Sequence, residues 1–218
     1  MGRAASSGGS GRRNAFKSSS GSYVKAHGGS RAAARSAVTG RSATAALGGF
    51  LSSVASRGLN ATMTAYGLQA SIGKAAPSVF AAIMNAVAPS GGSREQAVAR
   101  DAIGKALDEV YEKFVSADGD VSHLDSMTAA DVAAAIEAAV VAYINSKWVE
   151  ELGIKIEQRA VSEADAVRLE RDLKEFVKES VVLDLAGRDV LKIDWQGADG
   201  QGLVQTVYEK AYGIMGGE

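Results

Sequence analysis

The chain has 218 residues, no cysteine, two histidines and a formal net charge of −1 at pH 7. These numbers exclude disulfides, thiolate metal sites, cysteine nucleophiles and histidine-rich metal cages, and a hydrophobic content of 46% excludes a wholly disordered chain. The charge is unevenly distributed along the chain. Residues 1–94, the basic half, contain eleven Lys and Arg and no acid, and residues 95–218, the acidic half, contain thirteen Lys and Arg and 25 acids. This asymmetry predicts a basic segment that binds an acidic partner or lies partly on its own acidic half.

Residues 1–30 are predicted to form a disordered basic tail. Seven glycines and eight serines make up half of this segment, and Phe16, Tyr23 and Val24 are its main apolar residues. So little apolar surface cannot offset the conformational entropy that is lost when a chain becomes ordered. The composition then divides the remaining chain into an Ala/Gly-rich basic helical segment over residues 31–92 and an acidic helical domain over residues 93–218.

Alanine-rich sequence predicts the helices of the basic half. Residues 32–56 form the first predicted helix, which three glycines weaken, and residues 60–68 form a short second one. Pro77 stands where the first turn of a helix tolerates proline, so a third helix is predicted over residues 78–88. The run of proline, serine and glycine at 89–92 then ends it.

Capping boxes mark three helix starts in the acidic half, at residues 93–96, 128–131 and 162–165. The helix after residue 131 has apolar residues on one face and alanine on the other, so we expect it to be central and buried. A last helix is predicted from Gln201 to Met215. Residues 154–156 and 191–195 alternate in polarity and could pair as one short β-ribbon. The predicted fold is therefore all-α, an Ala-rich helical bundle with a basic N-terminal tail, with that ribbon as the one open exception.

Two loops resemble ligand-binding motifs but lack required residues. Residues 67–74 have five residues between the glycines where a phosphate loop has four, and Ala75 stands where Ser or Thr should bind magnesium. Residues 118–122 resemble the start of a calcium loop, but His123 and Ala129 stand where Gly and Glu are needed. Both are predicted to be polar connections.

Other chemically active residues also favour structural interpretations. His123 has aspartates nearby but no nucleophile motif, so it is predicted to be a solvated loop histidine. Adjacent carboxylates on a helix point in different directions and make no catalytic pair. Trp148 and Trp195 are predicted to pack in the core, with a role as interface anchors as the alternative. We therefore expect a protein that is not an enzyme and needs no cofactor.

Gly2 offers one specific chemical possibility. Removal of Met1 would expose a glycine amine, and an α-amino group with a pKa of about 7.7–8.0 is a better nucleophile at pH 7 than a lysine with a pKa of about 10.4. The first residues also fit the N-myristoylation template, and a Met-Gly start often has no special function. From the residues alone an ordinary Met-Gly start is the favoured interpretation, and Gly2 is the one candidate modification site.

The basic tail has two interpretations. It could be an arm that enters a partner protein, with the binding residues Arg3, Arg12, Arg13, Phe16, Lys17 and Tyr23. It could instead bind nucleic acid through phosphate contacts from Arg12, Arg13, Lys17, Lys25, Arg31, Arg35 and Arg41, and such binding would weaken steeply with salt. Two aromatic residues are too few for a base-stacking platform.

No apolar run reaches the roughly 18 residues that span a bilayer, and no apolar stretch follows the basic N-terminus. The sequence therefore predicts a cytoplasmic protein without a membrane partner.

The order of features along the chain resembles the QatB family, the B components of the Qat anti-phage defence system. The resemblance rests on the Gly/Ser-rich start, GGSRAAAR at 28–35, APSGG at 88–92, EQAVAR at 95–100 and VYEKAY at 207–212. It implies a non-enzymatic component encoded with an ATPase, a QueC-like enzyme and a TatD-like nuclease. Since QueC-like enzymes use ATP to activate a 7-deazaguanine carboxylate for attack by an amine, the resemblance suggests that the helical body docks on that enzyme and the tail presents Gly2. Gly2 is then the favoured modification site, and Gly9 and Gly29 are the alternatives if proteolysis exposes them.

Overall fold

The computed structural model describes residue 21, residues 24–157 except 89, the single residues 167, 171 and 175, and residues 189–216. Its α-helices are α1 (Ser30–Ser36), α2 (Val38–Arg57), α3 (Leu59–Ala65), α4 (Ala76–Val87), α5 (Arg94–Phe114), α6 (Ala129–Glu157) and α7 (Ala198–Gly216). Short 3₁₀ turns lie at Gln69–Ser71, Val121–Ser126 and Val190–Lys192. The described part of the chain contains no strand, so the all-α prediction is confirmed.

The predicted β-ribbon is wrong. Residues 154–156 belong to α6, and residues 191–195 pass from the 3₁₀ turn Val190–Lys192 through one extended residue, Ile193, into a turn that contains Trp195. Alternation over three to five residues does not distinguish a strand from a helical turn, and here helix propensity and tertiary packing decide the outcome.

Small residues bring α2 close to its neighbours in the core. A methyl group on Gly40 would lie 2.5 Å from Cε2 of Tyr143 on α6, and one on Gly48 would lie 2.7 Å from the ring of Trp195. Glycines that lower the intrinsic stability of the helix therefore make room for two aromatic rings.

The capping boxes at the starts of α5 and α6 are confirmed. The Ser93 hydroxyl accepts a hydrogen bond from the Gln96 amide at 3.1 Å, and the Gln96 side chain accepts one from the Ser93 amide at 3.1 Å. At α6, Oδ2 of Asp131 accepts from the Thr128 amide at 2.7 Å. The third box, at residues 162–165, lies outside the described residues, and only residues 167, 171 and 175 of its predicted helix are described, each with helical backbone.

The predicted central position of α6 is also confirmed. This helix packs against α2, α5 and α7, and Val132, Ile136, Val140 and Ile144 on it are fully buried. Residues from both halves of the chain share one hydrophobic core, which includes Val24 from the predicted tail and Leu47 from α2.

Within the described residues, α6 is the one helix that is long and apolar enough to cross a membrane, over Ala129–Val149. Half of that window is buried inside the protein, as in the core helix of a soluble domain. Length and composition are therefore weak support for a membrane span here.

Candidate functional site

The predicted site residues Gly2, Arg3, Arg12, Arg13, Phe16, Lys17 and Tyr23 all lie outside the described residues. The structure does describe the point at which their segment joins the folded body. We call residues 24–29 the tail anchor. Val24 is only 1% exposed, so this side chain attaches the anchor to the core, although the other residues of the anchor are exposed or half-buried.

Two glycines form the geometry of the tail anchor. The Gly29 amide donates to the Val24 carbonyl at 2.9 Å, and the Gly28 amide donates to the Lys25 carbonyl at 3.0 Å. Gly28 has φ of +83°, a left-handed conformation that glycine adopts without steric strain. This pair of bonds is the Schellman motif that closes a helix C-terminus, so a helical turn at 24–26 ends here before α1 begins.

Basic side chains that follow the anchor bind acidic and polar residues of α7. Nε of Arg31 lies 3.6 Å from a carboxylate oxygen of Glu209, and Nη1 of Arg41 donates to the Gln205 side chain at 2.8 Å. Gln205 in turn donates to Glu209 at 3.1 Å. Part of the basic half therefore lies on the acidic half, which is one of the two outcomes that the charge division predicted.

A second polar group joins the start of α5 to α6. Lys147 donates to Glu95 at 2.8 Å, and the buried Tyr143 hydroxyl donates to the other carboxylate oxygen. Burial alone would raise the pKa of Glu95, but hydrogen bonds from Lys147 and Tyr143 outweigh it and hold that pKa below its usual value.

Buried tyrosines connect these two polar groups. The Tyr208 hydroxyl lies 3.2 Å from the Thr44 hydroxyl, and the Tyr143 and Tyr208 ring centroids are 5.6 Å apart. Burial raises the pKa of Tyr208 far above its usual value, so this hydroxyl stays protonated. The cluster can fix helices and hydrogen bonds, and it has no group that would serve as a nucleophile near pH 7.

The loops that resemble ligand motifs have ordinary geometry. Gly67 and Gly73 have positive φ, as glycines in turns commonly do, and a methyl group on either would meet nothing within 4 Å. Nε2 of His123 lies 3.0 Å from an Asp118 oxygen on the exposed surface, and this contact raises the pKa of His123. Among the described residues no group of three or more His, Asp and Glu side chains could hold a metal ion.

The core role predicted for the two tryptophans is confirmed, since Trp148 is 2% and Trp195 is 3% exposed. Nε1 of Trp195 donates to Ser52 at 2.9 Å and to the Val190 carbonyl at 3.1 Å. Sequence reasoning missed Glu95, Tyr143 and Lys147, which form a group across 48 to 52 residues of chain. The one available signal was the spacing of Tyr143 and Lys147, which stand four residues apart and therefore share one face of α6.

The tail anchor is therefore joined directly to α1, and α1 and α2 are in turn held to α7 through Arg31 and Arg41. Val24 attaches the anchor to the core.

Comparison with known families then gives an independent result. A family model described as "Qat anti-phage system associated protein QatB" matches residues 28–215. Neither the curated proteins nor the solved structures gave a match. The matched region begins inside the tail anchor and covers the helical body.

Proposed function

Because this chain belongs to the QatB family, which makes it a component of the Qat anti-phage system, we propose that it binds a QueC-like partner enzyme and presents its own N-terminus as the substrate. The ATPase and the TatD-like nuclease of the system are further proposed partners. In this proposal the protein is cytoplasmic, has no catalytic activity of its own and needs no cofactor.

The observation that carries this proposal is the position of the tail anchor. The match to the family begins at residue 28, and the buried side chain of Val24 fixes the chain to the core just before it. The first 20 residues hold four Lys and Arg, no acid and Gly2. An extended chain spans at most about 3.3–3.6 Å per residue, so this segment can reach an active site far from the surface on which the body docks.

The proposed reaction is amide formation at the Gly2 nitrogen. The QueC-like enzyme activates the carboxylate of a 7-deazaguanine with ATP. The neutral amine then attacks the acyl carbon, the C–N bond forms, the bond to the activating group breaks and the nitrogen loses a proton. A glycine has no side chain to obstruct a narrow site, and an amine with a pKa of about 7.7–8.0 is partly neutral at pH 7.

The tail anchor favours Gly2 over Gly29 as the acceptor. The Gly29 amide is already bonded to the Val24 carbonyl, and the Gly29 carbonyl accepts from Ala33 at 2.9 Å in the first turn of α1. Cleavage before Gly29 would require this ordered turn to open. Gly9 lies outside the described residues and remains the alternative acceptor.

Intact-mass measurement tests the proposal. The full chain is expressed alone and with the QueC-like enzyme, and its N-terminal peptide is sequenced by fragmentation. We expect an added deazaguanine-sized mass on Gly2 only in the co-expressed sample. Gly2→Lys should abolish it, because a large residue at position 2 blocks removal of Met1, whereas Gly9→Lys adds the same charge and should keep it.

The failures are distinguishable. An unmodified N-terminus in a stable complex would leave a pure adaptor, whereas loss of both modification and complex would contradict the proposal.

The nucleic-acid alternative would then lead, and it predicts binding whose affinity falls steeply between 50 and 200 mM salt, by a factor of about 10³ or more for six phosphate contacts. Arg31 and Arg41 weigh against it, because both already contact α7.

A further inference from the structure

We propose that the groove between α5 and α6 is an intramolecular docking site for the basic N-terminal segment, residues 1–20, of this same chain. This inference does not depend on the proposed function. We call the site the α5–α6 groove, and its lining residues are Arg94, Ala97, Val98, Asp101, Lys105, Asp108, Glu109, Ala134, Glu137, Ala138, Val141, Ala142, Asn145, Ser146 and Val149.

The α5–α6 groove is large, open and apolar at its floor. Its two adjoining parts have volumes of about 450 and 370 Å³ and share Lys105 and Asn145. The floor consists of alanine and valine side chains, and Val149 at one end is 37% exposed. Small side chains leave room for an extended chain whose own apolar residue, such as Phe16, would pack on them.

The charge of the α5–α6 groove fits a basic occupant. Four carboxylates and two cations line it. Lys105 is already paired with Asp101 at 2.8 Å, so the end formed by Asp108 and Glu109 is acidic and exposed. Residues 1–20 carry Arg3, Arg12, Arg13 and Lys17 and no acid. Arginine binds carboxylates through two parallel hydrogen bonds, which is the chemistry that this rim offers.

The length of the basic segment fits the length of the α5–α6 groove. Gly21 is buried and helical, so the segment that can extend ends before it. From Arg94 to Asp108 the helix rises about 21 Å. Arg12 is nine residues before Gly21, a reach of up to about 32 Å, and Arg3 reaches farther. Because the segment and the groove belong to one chain, docking takes place at an effective concentration in the millimolar range.

Paramagnetic relaxation in the full-length protein tests this docking. The chain has no cysteine, so Ser10→Cys gives a single position for a nitroxide. We expect the label to broaden the amide signals of Ala134, Ala138 and Val141 and to leave those of residues 121–126 sharp. The broadening should disappear at 1 M salt, where the Debye length is about 3 Å.

Charge reversal supplies the matched variants. Asp108→Lys with Glu109→Lys should lower groove occupancy about tenfold, as expected for the loss and reversal of two exposed ion pairs. Asp199→Lys reverses an exposed acid on α7 outside the groove and should leave the broadening unchanged. These residues are all exposed, so circular dichroism should show unchanged folding.

Three results would overturn the proposal. The first is no broadening in the nitroxide-labelled protein, and the second is broadening that spreads evenly over other acidic surfaces. The third is broadening that arises only between different molecules, when nitroxide-labelled chains are mixed with isotope-labelled chains that carry no nitroxide. The last result would assign the groove to a second copy.

Discussion

The helices of the basic half and those of the acidic half are held in place by different means. At α1, α2, α3 and α4 the residue before the helix makes no side-chain capping bond, and this residue is Gly29, Ala37, Gly58 and Ala75 respectively. At α5 and α6 the capping boxes satisfy the first amides locally. The helices of the basic half therefore depend on tertiary packing for their stability, whereas α5 and α6 of the acidic half are partly stabilised by their own capping residues.

Charge increases this difference. Without an acid, the basic half has no internal ion pairs between side chains, and two of its cations, Arg31 and Arg41, have partners on α7. In the acidic half, α5 has an internal pair between Lys105 and Asp101 at 2.8 Å. Contact between the halves thus offsets a charge excess on each of them.

Removal of the Trp195 ring should have the largest effect on this contact. The ring packs on Gly48 of α2 and makes two buried hydrogen bonds. We expect Trp195→Ala to lower the free energy of unfolding by about 3–5 kcal/mol. Trp148 is then the only tryptophan, so its fluorescence reports on α6 while circular dichroism reports on all helices. If the fluorescence and circular dichroism transitions in urea separate, the two halves unfold at different denaturant concentrations. If the two transitions coincide and stability is unchanged, the Trp195 ring does not hold the halves together.

Filling the close contact between α2 and α6 should have the next largest effect. Gly40→Ala places a methyl group within 2.5 Å of the Tyr143 ring, so we expect a loss of about 1–3 kcal/mol despite a better helix propensity. Gly202→Ala on α7 is the matched control, because a methyl group there meets nothing within 4 Å. The control should gain about 0.5–1 kcal/mol. Thermal unfolding of both variants should show a loss of stability for Gly40→Ala and a gain for Gly202→Ala. A gain of stability for Gly40→Ala would show that α2 and α6 are loosely packed at this contact.

Loss of a local cap should be smaller and confined to the acidic half. Ser93→Ala removes the hydroxyl that accepts from the Gln96 amide, and we expect a loss of about 1 kcal/mol. Amide hydrogen exchange should show faster opening in the first turn of α5 and unchanged protection in α2. Ser90→Ala, at an exposed residue before the cap, should change neither. Equal loss of protection in both helices would mean that the two halves are not stabilised differently.

The smallest effect is a pH dependence at the Glu95 group. Since the pKa of Glu95 is lowered in the folded state, its charged form adds stability above its usual value near 4.5, and this stability is lost as the pH falls through the folded pKa. Between pH 7 and pH 3 the free energy of unfolding should fall less in Glu95→Gln than in the unchanged protein. The difference should be well under about 1 kcal/mol, because the Glu95 side chain is partly exposed. Urea titrations at pH 3 to 7 measure it, and an identical slope in the variant would show that the group is not coupled to folding.

Much of the fold was predictable because the signals are local. Helix boundaries in the acidic half follow from Ser93 with Gln96 and from Thr128 with Asp131, and both boxes form as predicted. In the basic half the prediction was less accurate, since residues 32–56 form two helices that break at Ala37, and no capping residue announces the break. The predicted boundary of the tail also placed Val24 outside the core, where a Gly/Ser-rich environment conceals its burial.

The sequence by itself determined the all-α class, the cysteine-free chemistry, the division of charge and the resemblance to the QatB family, because composition, capping and order along the chain are properties of local sequence. Only the tertiary structure decided that Gly40 and Gly48 receive aromatic rings, that Glu95 meets Tyr143 and Lys147, and that Val24 is buried in the core. Each of these features joins residues that are far apart in the chain, and the periodicity of one helix does not specify which side chains of another it will meet.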